Sequence, residues 1–208
     1  VQTGYAAIAD EWLGIRPGTD GLLIGALIAE LLKAEKIDWQ FLIRYTNSPW
    51  LVIDKPGAAS HGLFVRDDTG KAQCFDVLEN KITTMQVGKS KPALVGEYTL
   101  DDGTKAVPAF QHILKEFLSD KYELATVEKE TGIAAKDIER IAAEMAEVAF
   151  SEEITIDMEW TDSYGNKHDK VVGRPVSFHA MRGIAAHKNG FETCRMLHML
   201  QMLLGAID

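Results

Sequence analysis

The sequence predicts an α/β fold, in which helices alternate with the strands of a parallel sheet, and it predicts one β-hairpin-rich insertion. Three observations support this class. Apolar helical patterns follow short strand-like stretches at both ends of the chain, two of the strand-to-helix junctions carry glycine, and residues 50–105 differ in composition from the rest. Strand–helix alternation is typical of parallel sheets, because each crossover returns the chain to the same edge.

The first long helix is predicted from Thr19 to about Lys36, after a strand-like stretch at residues 12–16 that Pro17 and Gly18 end. A shorter helix with Asp38 as its N-cap follows. The apolar residues of the long helix recur at helical spacing: Leu22, Leu23, Ala26, Leu27, Ala29, Leu31 and Leu32.

The insertion at residues 50–105 is predicted from short β-branched runs separated by Asp-Asp-Thr-Gly and Asp-Asp-Gly-Thr. Asp and Gly tolerate the left-handed backbone that hairpin turns need. Residues 1–49 and 106–208 are assigned to the α/β region.

The second half of the α/β region is predicted to hold three helices after Pro108, with Gly132 as a C-cap between the second and third. A strand at 153–160, a polar loop or hairpin, and a strand-like stretch at 174–181 follow. The final helix, at residues 191–204, is apolar nearly all round, so it is expected to pack on several sides.

The composition excludes some classes of function. A net charge of −9 and a pI near 5.2 argue against a nucleic-acid partner. No apolar run reaches the length of a membrane span. Cys74 and Cys194 have no CxxC spacing; a disulfide is possible, but two buried thiols in a reducing compartment are favoured. The compositions of the two ends suggest an interior piece of a longer polypeptide.

The first glycine-bearing junction, "IRPGTDG", places Asp20 at the start of the long helix. Ligands of open α/β sheets bind where helix N-termini meet the carboxyl ends of strands. A carboxylate there can accept two parallel hydrogen bonds from N1–H and N2–H₂ of guanine, which adenine does not offer. The alternative is that Thr19 or Asp20 merely caps the helix.

The second junction, "MRGIAAHKNG", clusters basic and polar residues beside two glycines. Arginine and lysine can bind phosphate, while histidine and asparagine can hydrogen-bond ring carbonyls. A solvated basic loop is the alternative explanation. The residues concerned are Arg182, Gly183, His187, Lys188, Asn189 and Gly190.

Common catalytic and metal-binding motifs are absent from the sequence. It contains no HExxH zinc motif, no GxSxG elbow, no Walker loop and no GxGxxG fingerprint. No metal-ligand set is assigned, and no catalytic residue is identified. The sequence therefore predicts a ligand-binding part rather than a self-contained catalytic centre.

Both junctions resemble motifs of the molybdopterin oxidoreductases, the dimethyl-sulfoxide-reductase superfamily. "ADEWLGIRPGTDGLLIGALIAELLKAEKIDWQFLIRYTNSPWLV" resembles the family pattern A-D-x-W-x-x-I-R-P-G-T-D-x-A-L with its following helix. "LATVEKETGIAAKDIERIAAEMA" resembles a second family segment, and "MRGIAAHKNGFETCRMLHMLQMLLGAID" is similar to the glycine-bearing cofactor loop. The resemblance covers residues 1–48 and about 122–208, in the family's order.

This resemblance implies a Rossmann-like parallel sheet flanked by helices, as in the central domains of formate dehydrogenase and dimethyl sulfoxide reductase. It also implies a cofactor, molybdenum or tungsten held by two molybdopterin guanine dinucleotides. Carried over position by position, the guanosine pocket is Arg16, Pro17, Gly18, Thr19 and Asp20. The loop near the pterins and the active-site mouth is Arg182, Gly183, His187, Asn189 and Gly190, with Arg182 and His187 closest to the reaction.

Within the superfamily, the C-terminal stretch looks most like the sulfite dehydrogenases and related polysulfide and thiosulfate reductases. Such enzymes work with a membrane anchor and an iron-sulfur protein, which implies a location at the bacterial inner membrane, with the cytoplasmic face favoured over the periplasmic one. Two alternatives stay open. One is another branch, such as a formate dehydrogenase or a nitrate or arsenate reductase; the other is a non-catalytic nucleotide-binding or interaction module.

The chain also departs from the family. Two cysteines cannot supply the four thiolates of a [4Fe–4S] cluster, which is expected elsewhere in the full-length chain. The metal ligand and the C-terminal dinucleotide-binding domain are not found in this sequence. We therefore expect a fragment of a larger catalytic subunit that holds part of one cofactor and is inactive alone.

Overall fold

The computed structural model describes residues 4–86, 88–162 and 165–206. They form two compact units, one of residues 39–116 and one of the segments before and after it. The smaller unit thus extends beyond the predicted insertion of residues 50–105 and includes helical residues on both sides.

Six α-helices and nine short strands make up the described elements. The helices are α1 Asp20–Lys33, α2 Trp39–Tyr45, α3 Ala109–Phe117, α4 Leu124–Thr131, α5 Ala135–Ser151 and α6 Gly190–Leu204. The strands are β1 Leu51–Asp54, β2 Cys74–Asp76, β3 Lys81–Thr83, β4 Tyr98–Thr99, β5 Lys105–Pro108, β6 Ile154–Ile156, β7 Trp160–Thr161, β8 Lys167–His168 and β9 Val171–Gly173. Short 3₁₀ helices occupy Gly4–Ala7, Asp120–Tyr122 and Arg182–Ala185.

Helix α1 is the centre of the larger unit, and α4, α5 and α6 pack around it. It can occupy this position because apolar and small residues lie on every side of it, and Ala26, Ile28 and Ala29 are fully buried. The close approach of Tyr122 to Gly25 leaves no room for a side chain, since a Cβ there would lie 2.0 Å from the ring.

Helices α1 and α6 run side by side in the same direction. At one end, a Cβ placed on Gly21 would lie 3.0 Å from Thr193 Oγ1. At the other end, Asp38 N–H, just beyond α1, donates to the carbonyl of Leu203 at 2.7 Å. Both N-termini therefore lie at the same end of the helix pair.

The smaller unit is built on the antiparallel sheet β1-β5-β4 and the hairpin β2-β3. Leu51, Val65 and Ala106 form its core, and the rings of Phe75 and Tyr98 stack at 4.0 Å. The predicted turns at 67–70 and 101–104 are present, with Gly70 and Gly103 in the left-handed region.

The predicted parallel sheet is not formed by the described residues, because all of their strand pairs are antiparallel. Of the three stretches that were expected to be its strands, residues 153–160 pair only in antiparallel ladders, and the other two form no strand. Residues 12–16 have no β-ladder partner, and Arg16 N–H donates to a helix-end carbonyl, that of Thr131. Residues 174–181 form no strand either. The α/β class holds as a mixture of helices and small antiparallel sheets.

Both cysteines are free thiols, so the alternative of a disulfide is not realised. Cys74 is buried and Cys194 half-buried. Burial, helped by the nearby charge of Asp76, raises the pKa of the Cys74 thiol to about 11. None of the described helices combines the length and the apolar character that a membrane crossing requires.

Candidate functional site

The first junction brings Asp20 to the surface as the first residue of α1. Neither Thr19 nor Asp20 makes a side-chain capping bond, because Thr19 Oγ1 donates instead to the carbonyl of Arg16 at 2.7 Å. The half-buried carboxylate of Asp20 has no hydrogen-bond or ion-pair partner within residues 4–86, 88–162 and 165–206. The simple capping alternative therefore does not describe this helix start.

Arg16 and Gly18 fix the loop that leads to Asp20. Gly18 has φ +82°, a backbone conformation that other residues adopt only with strain. Arg16 N–H donates to the carbonyl of Thr131 at 3.0 Å, while its guanidinium donates to the carbonyls of Lys129 and Glu130. The loop is thus attached by backbone and side chain to the C-terminal end of α4. Pro17 is exposed between these two residues.

The second junction is a 3₁₀ turn, Arg182–Ala185, followed by the N-terminus of α6. The turn packs directly on Gly190, where a Cβ would lie 2.2 Å from the carbonyl oxygen of Ala185. Gly183, in contrast, has open space around it. Three exposed cationic or titratable side chains of this loop have no hydrogen-bond or ion-pair partner in the described part of the chain: Arg182, His187 and Lys188.

The structure brings the two junctions together through the starts of α1 and α6. A Cβ on Gly21 would lie 3.7 Å from Asn189 Nδ2, as well as close to Thr193. Thr193 is buried, and its hydroxyl donates to the backbone carbonyl of Asn189 at 3.0 Å. The side-chain amide of Asn189 is exposed and lies beside Gly21. The predicted residues at the two helix starts, Asp20 with Asn189 and Gly190, therefore belong to one region of the surface.

The two helix N-termini of this region favour an anionic group. Two parallel helices place the positive ends of both dipoles at one place, and the N–H groups of their first turns are directed there. Each first turn carries one acidic residue, but Glu192 already pairs with Arg195 at 3.0 Å. Asp20 is the remaining carboxylate of the two turns and can accept from a ligand's N–H groups.

Two clefts lie away from these junctions. One of about 440 Å³ is lined by Asp38, Arg174 and Gly205, among others, and one of about 730 Å³ follows the β7–β8 hairpin around Trp160 and His168. Neither is lined by a residue that the sequence assigns to a site. Within the described residues, no three His, Cys, Asp or Glu side chains are grouped as a metal site would need.

Sequence reasoning missed the part that α4 plays in the first junction. Lys129, Glu130 and Thr131 act through carbonyl oxygens, which any residue carries, so their side chains give no indication of the contact. The available signal was the Gly132 C-cap, which ends α4 with φ +81° and leaves these carbonyls free of helix partners.

No family model matches the chain. It is 44% identical, over 100% of its length, to a sulfite dehydrogenase subunit of Allochromatium vinosum, and 28% identical over 99% of its length to a selenate reductase subunit of Mesobacillus selenatarsenatis. The chain spans about a fifth of these relatives, 22% and 19% of their lengths. Both relatives are named as oxidoreductases. The resemblance is therefore confirmed: the chain matches, over nearly its whole length, one segment of each of these two oxidoreductase subunits.

Proposed function

We propose that this chain is the part of a molybdenum bis-molybdopterin-guanine-dinucleotide oxidoreductase that binds and positions one guanine dinucleotide. The observation that carries the proposal is the pair of adjacent helix N-termini, with the Asp20 carboxylate at the start of one and Asn189 at the other. The similarity to the sulfite dehydrogenase of Allochromatium vinosum supports an inorganic sulfur compound as the substrate of the whole protein.

The residues present fit such a cofactor. Asp20 would accept hydrogen bonds from the guanine edge, and the first-turn N–H groups of α1 and α6 would bind phosphate. Arg182, His187 and Asn189, which are exposed, would donate to the phosphate or pterin groups. When bound, the metal cofactor would supply oxygen-atom or electron transfer, while the protein orients it and excludes competing ligands.

Parts of the proposal concern the longer polypeptide. We propose that the extended segment at residues 12–16 pairs with strands outside this chain to complete a Rossmann-like parallel sheet. A [4Fe–4S] cluster elsewhere in the full-length chain, an iron-sulfur partner protein and a membrane anchor would receive the electrons. With these partners, the enzyme would lie at the inner membrane, on its cytoplasmic face.

A second candidate is a reductase of the same superfamily, which the similarity to the selenate reductase of Mesobacillus selenatarsenatis favours. The geometry of the dinucleotide site would be the same in both cases. Turnover of the full-length protein with sulfite or with selenate decides between the two substrates.

The test of cofactor binding is guanine selectivity in the full-length protein. Cofactor-free protein is expected to bind GMP in preference to AMP, and Asp20→Ala is expected to abolish this preference, about a 10–100-fold loss for two charge-assisted hydrogen bonds. The control is Glu192→Gln, which removes the same charge from the first turn of α6, where Glu192 is exposed and paired with Arg195. Equal affinities for GMP and AMP, unchanged by Asp20→Ala, would favour a non-catalytic interaction module.

A further inference from the structure

We infer that Arg16 is a positioning residue, which fixes the Asp20 loop on the C-terminal end of α4 and does not itself contact the ligand's phosphates. The inference rests on the proposed function, since it assigns a role within that guanine site. It concerns the one cation of the "RPGTD" motif, whose charge would otherwise be taken as a phosphate ligand.

The guanidinium of Arg16 already has partners within the protein. Nη1 donates to the carbonyls of Lys129 and Glu130, the latter at 3.2 Å. These are carbonyls of the last turn of α4, which carries the negative end of the helix dipole, so a cation is stabilised there. A phosphate would have to compete with this turn for the same charge.

The backbone N–H and carbonyl of Arg16 connect the end of α4 to the start of α1. Its N–H donates to Thr131 at 3.0 Å, and its carbonyl accepts from Thr19 Oγ1 at 2.7 Å and Thr19 N–H at 3.3 Å. Thr19 directly precedes Asp20. An unbroken set of hydrogen bonds therefore joins the end of α4 to the residue before the guanine-recognising carboxylate.

The end of α4 is itself well defined. Thr131 is fully buried, and its hydroxyl donates to the carbonyl of Val127 at 2.7 Å and accepts from Ile133 N–H at 3.1 Å. Gly132 ends the helix in the left-handed region, and its Cα lies next to Arg16, since a Cβ there would lie 3.8 Å from Arg16 Nε. Thr131 and Gly132 thus give Arg16 a well-defined contact surface. Through Arg16, the "RPGTD" motif is joined to the end of α4, which is far away in the sequence.

The experiment compares Arg16→Ala with wild type in the cofactor-free full-length protein, using guanosine, GMP and GDP as probes. A positioning role predicts the same loss of affinity for all three, about tenfold, because the guanine contact is displaced and no phosphate contact is lost. A direct phosphate contact would instead give a loss that grows from guanosine to GDP, and that result would overturn the inference.

A double-mutant cycle with Asp20 supplies the second readout. If Arg16 acts through Asp20, the double variant Arg16→Ala/Asp20→Ala binds GMP as weakly as Asp20→Ala alone. Additive losses would contradict the inference. The matched control is Arg140→Ala, which removes a guanidinium paired with Glu11 at 2.6 Å, at the other end of the extended segment, and is expected to leave guanine selectivity unchanged.

Failure of the proposed function looks different from failure of this inference. If wild type itself does not prefer GMP to AMP, the guanine site is wrong and the inference is overturned with it. If wild type is selective and Arg16→Ala is equally selective and equally tight, only the positioning role is overturned. Should Arg16→Ala not fold, Arg16→Lys keeps one donor for the α4 carbonyls, and a smaller loss that is equal for the three probes is expected.

Discussion

At the scale of single residues, the two glycines of the second junction differ in their tolerance of a side chain. A methyl group at Gly190 would meet the backbone oxygen of Ala185 at 2.2 Å, whereas one at Gly183 would meet nothing within 4 Å. The backbone carbonyl of Ala185 cannot avoid the added methyl group by a change of rotamer, as a side chain could. Gly190→Ala is therefore expected to lower the free energy of unfolding by about 1–3 kcal/mol. Gly183→Ala is the matched control.

Urea denaturation of the two variants measures this difference. Gly190→Ala is expected to shift the midpoint downward without changing the slope, and Gly183→Ala to leave it near the wild-type value. Equal midpoints for the two variants would show that the 3₁₀ turn does not pack on Gly190 as described.

Asp67 gives the smaller unit a dependence on pH. Hydrogen bonds from the Thr69 hydroxyl, the Lys71 N–H and the Thr84 hydroxyl hold the pKa of its carboxyl at about 2, below the ordinary 3.8. Because the folded pKa is the lower one, the stabilisation is complete above about pH 4 and is lost as the pH falls toward 2.

Thermal unfolding of Asp67→Asn between pH 7 and pH 3 tests this dependence. Its midpoint is expected to lie below that of wild type at neutral pH and to approach it as the pH falls. Asp68→Asn removes the same charge from a neighbour whose carboxylate accepts no hydrogen bond from the described residues, so its effect should be small throughout. A gap between Asp67→Asn and wild type that stays constant with pH would contradict the assignment.

The position of Asp20 at a helix start could be predicted from the sequence, but the hydrogen-bond partners of Arg16 could not. A carboxylate at a helix start is a local feature, and its chemistry toward a two-donor base edge follows from residue type alone. The role of Arg16 depends on carbonyls 113 and 114 residues away, at the end of α4. Backbone acceptors are common to all residues, so only the fold could identify these partners.

At the scale of elements, the helices were predictable and the sheet was not. Periodicity and end signals placed α1 and α6 to within a few residues, because helix hydrogen bonds are local. Strand pairing depends on residues far away in the sequence, and the extended stretches 12–16 and 174–181 join no β-ladder of the described residues. The hairpin turns at 67–70 and 101–104 were predictable because Asp and Gly encode them locally.

Arg174 joins the ends of two elements, and its removal is expected to be costly. Its guanidinium donates to the carbonyl of Ala149 at the end of α5 and to the carboxylate of Asp38 beyond α1. Both side chains of the pair are largely buried, with 28% and 16% of their surface exposed. Arg174→Ala is expected to lower the free energy of unfolding by about 2–3 kcal/mol, the value of charged hydrogen bonds that leave a carboxylate behind.

The matched control for Arg174 is Arg195→Ala. The side chains of Arg195 and Glu192 are 62% and 61% exposed, so water screens their ion pair. Removing this pair should lower the free energy of unfolding by less than about 1 kcal/mol. Chemical denaturation of both variants is the measurement. Losses of equal size would mean that the Arg174 contacts do not hold the end of α5.

At the scale of the whole molecule, the apolar side chains of the β6–β9 pair are not covered by the described residues. Ile154, Ile156 and Val172 are each about half exposed, at 49%, 52% and 51%, and Met158 follows at 53%. Two strands without a covering layer are at best marginally stable in water. The chain spans only 22% and 19% of its relatives, which gives a full-length protein of that size ample residues to cover these side chains.

Met158 is a native probe of that covering, because methionine oxidation follows solvent exposure. In the folded full-length protein, peroxide is expected to convert Met158 to the sulfoxide at least about tenfold more slowly than in the urea-unfolded protein, since a packed sulfur is shielded from the oxidant. Mass spectrometry of the peptide that contains residues 153–162 measures both rates in one sample series. If the two rates are equal, the side chain is open to solvent in the complete protein, and the β6–β9 surface is then free rather than internal.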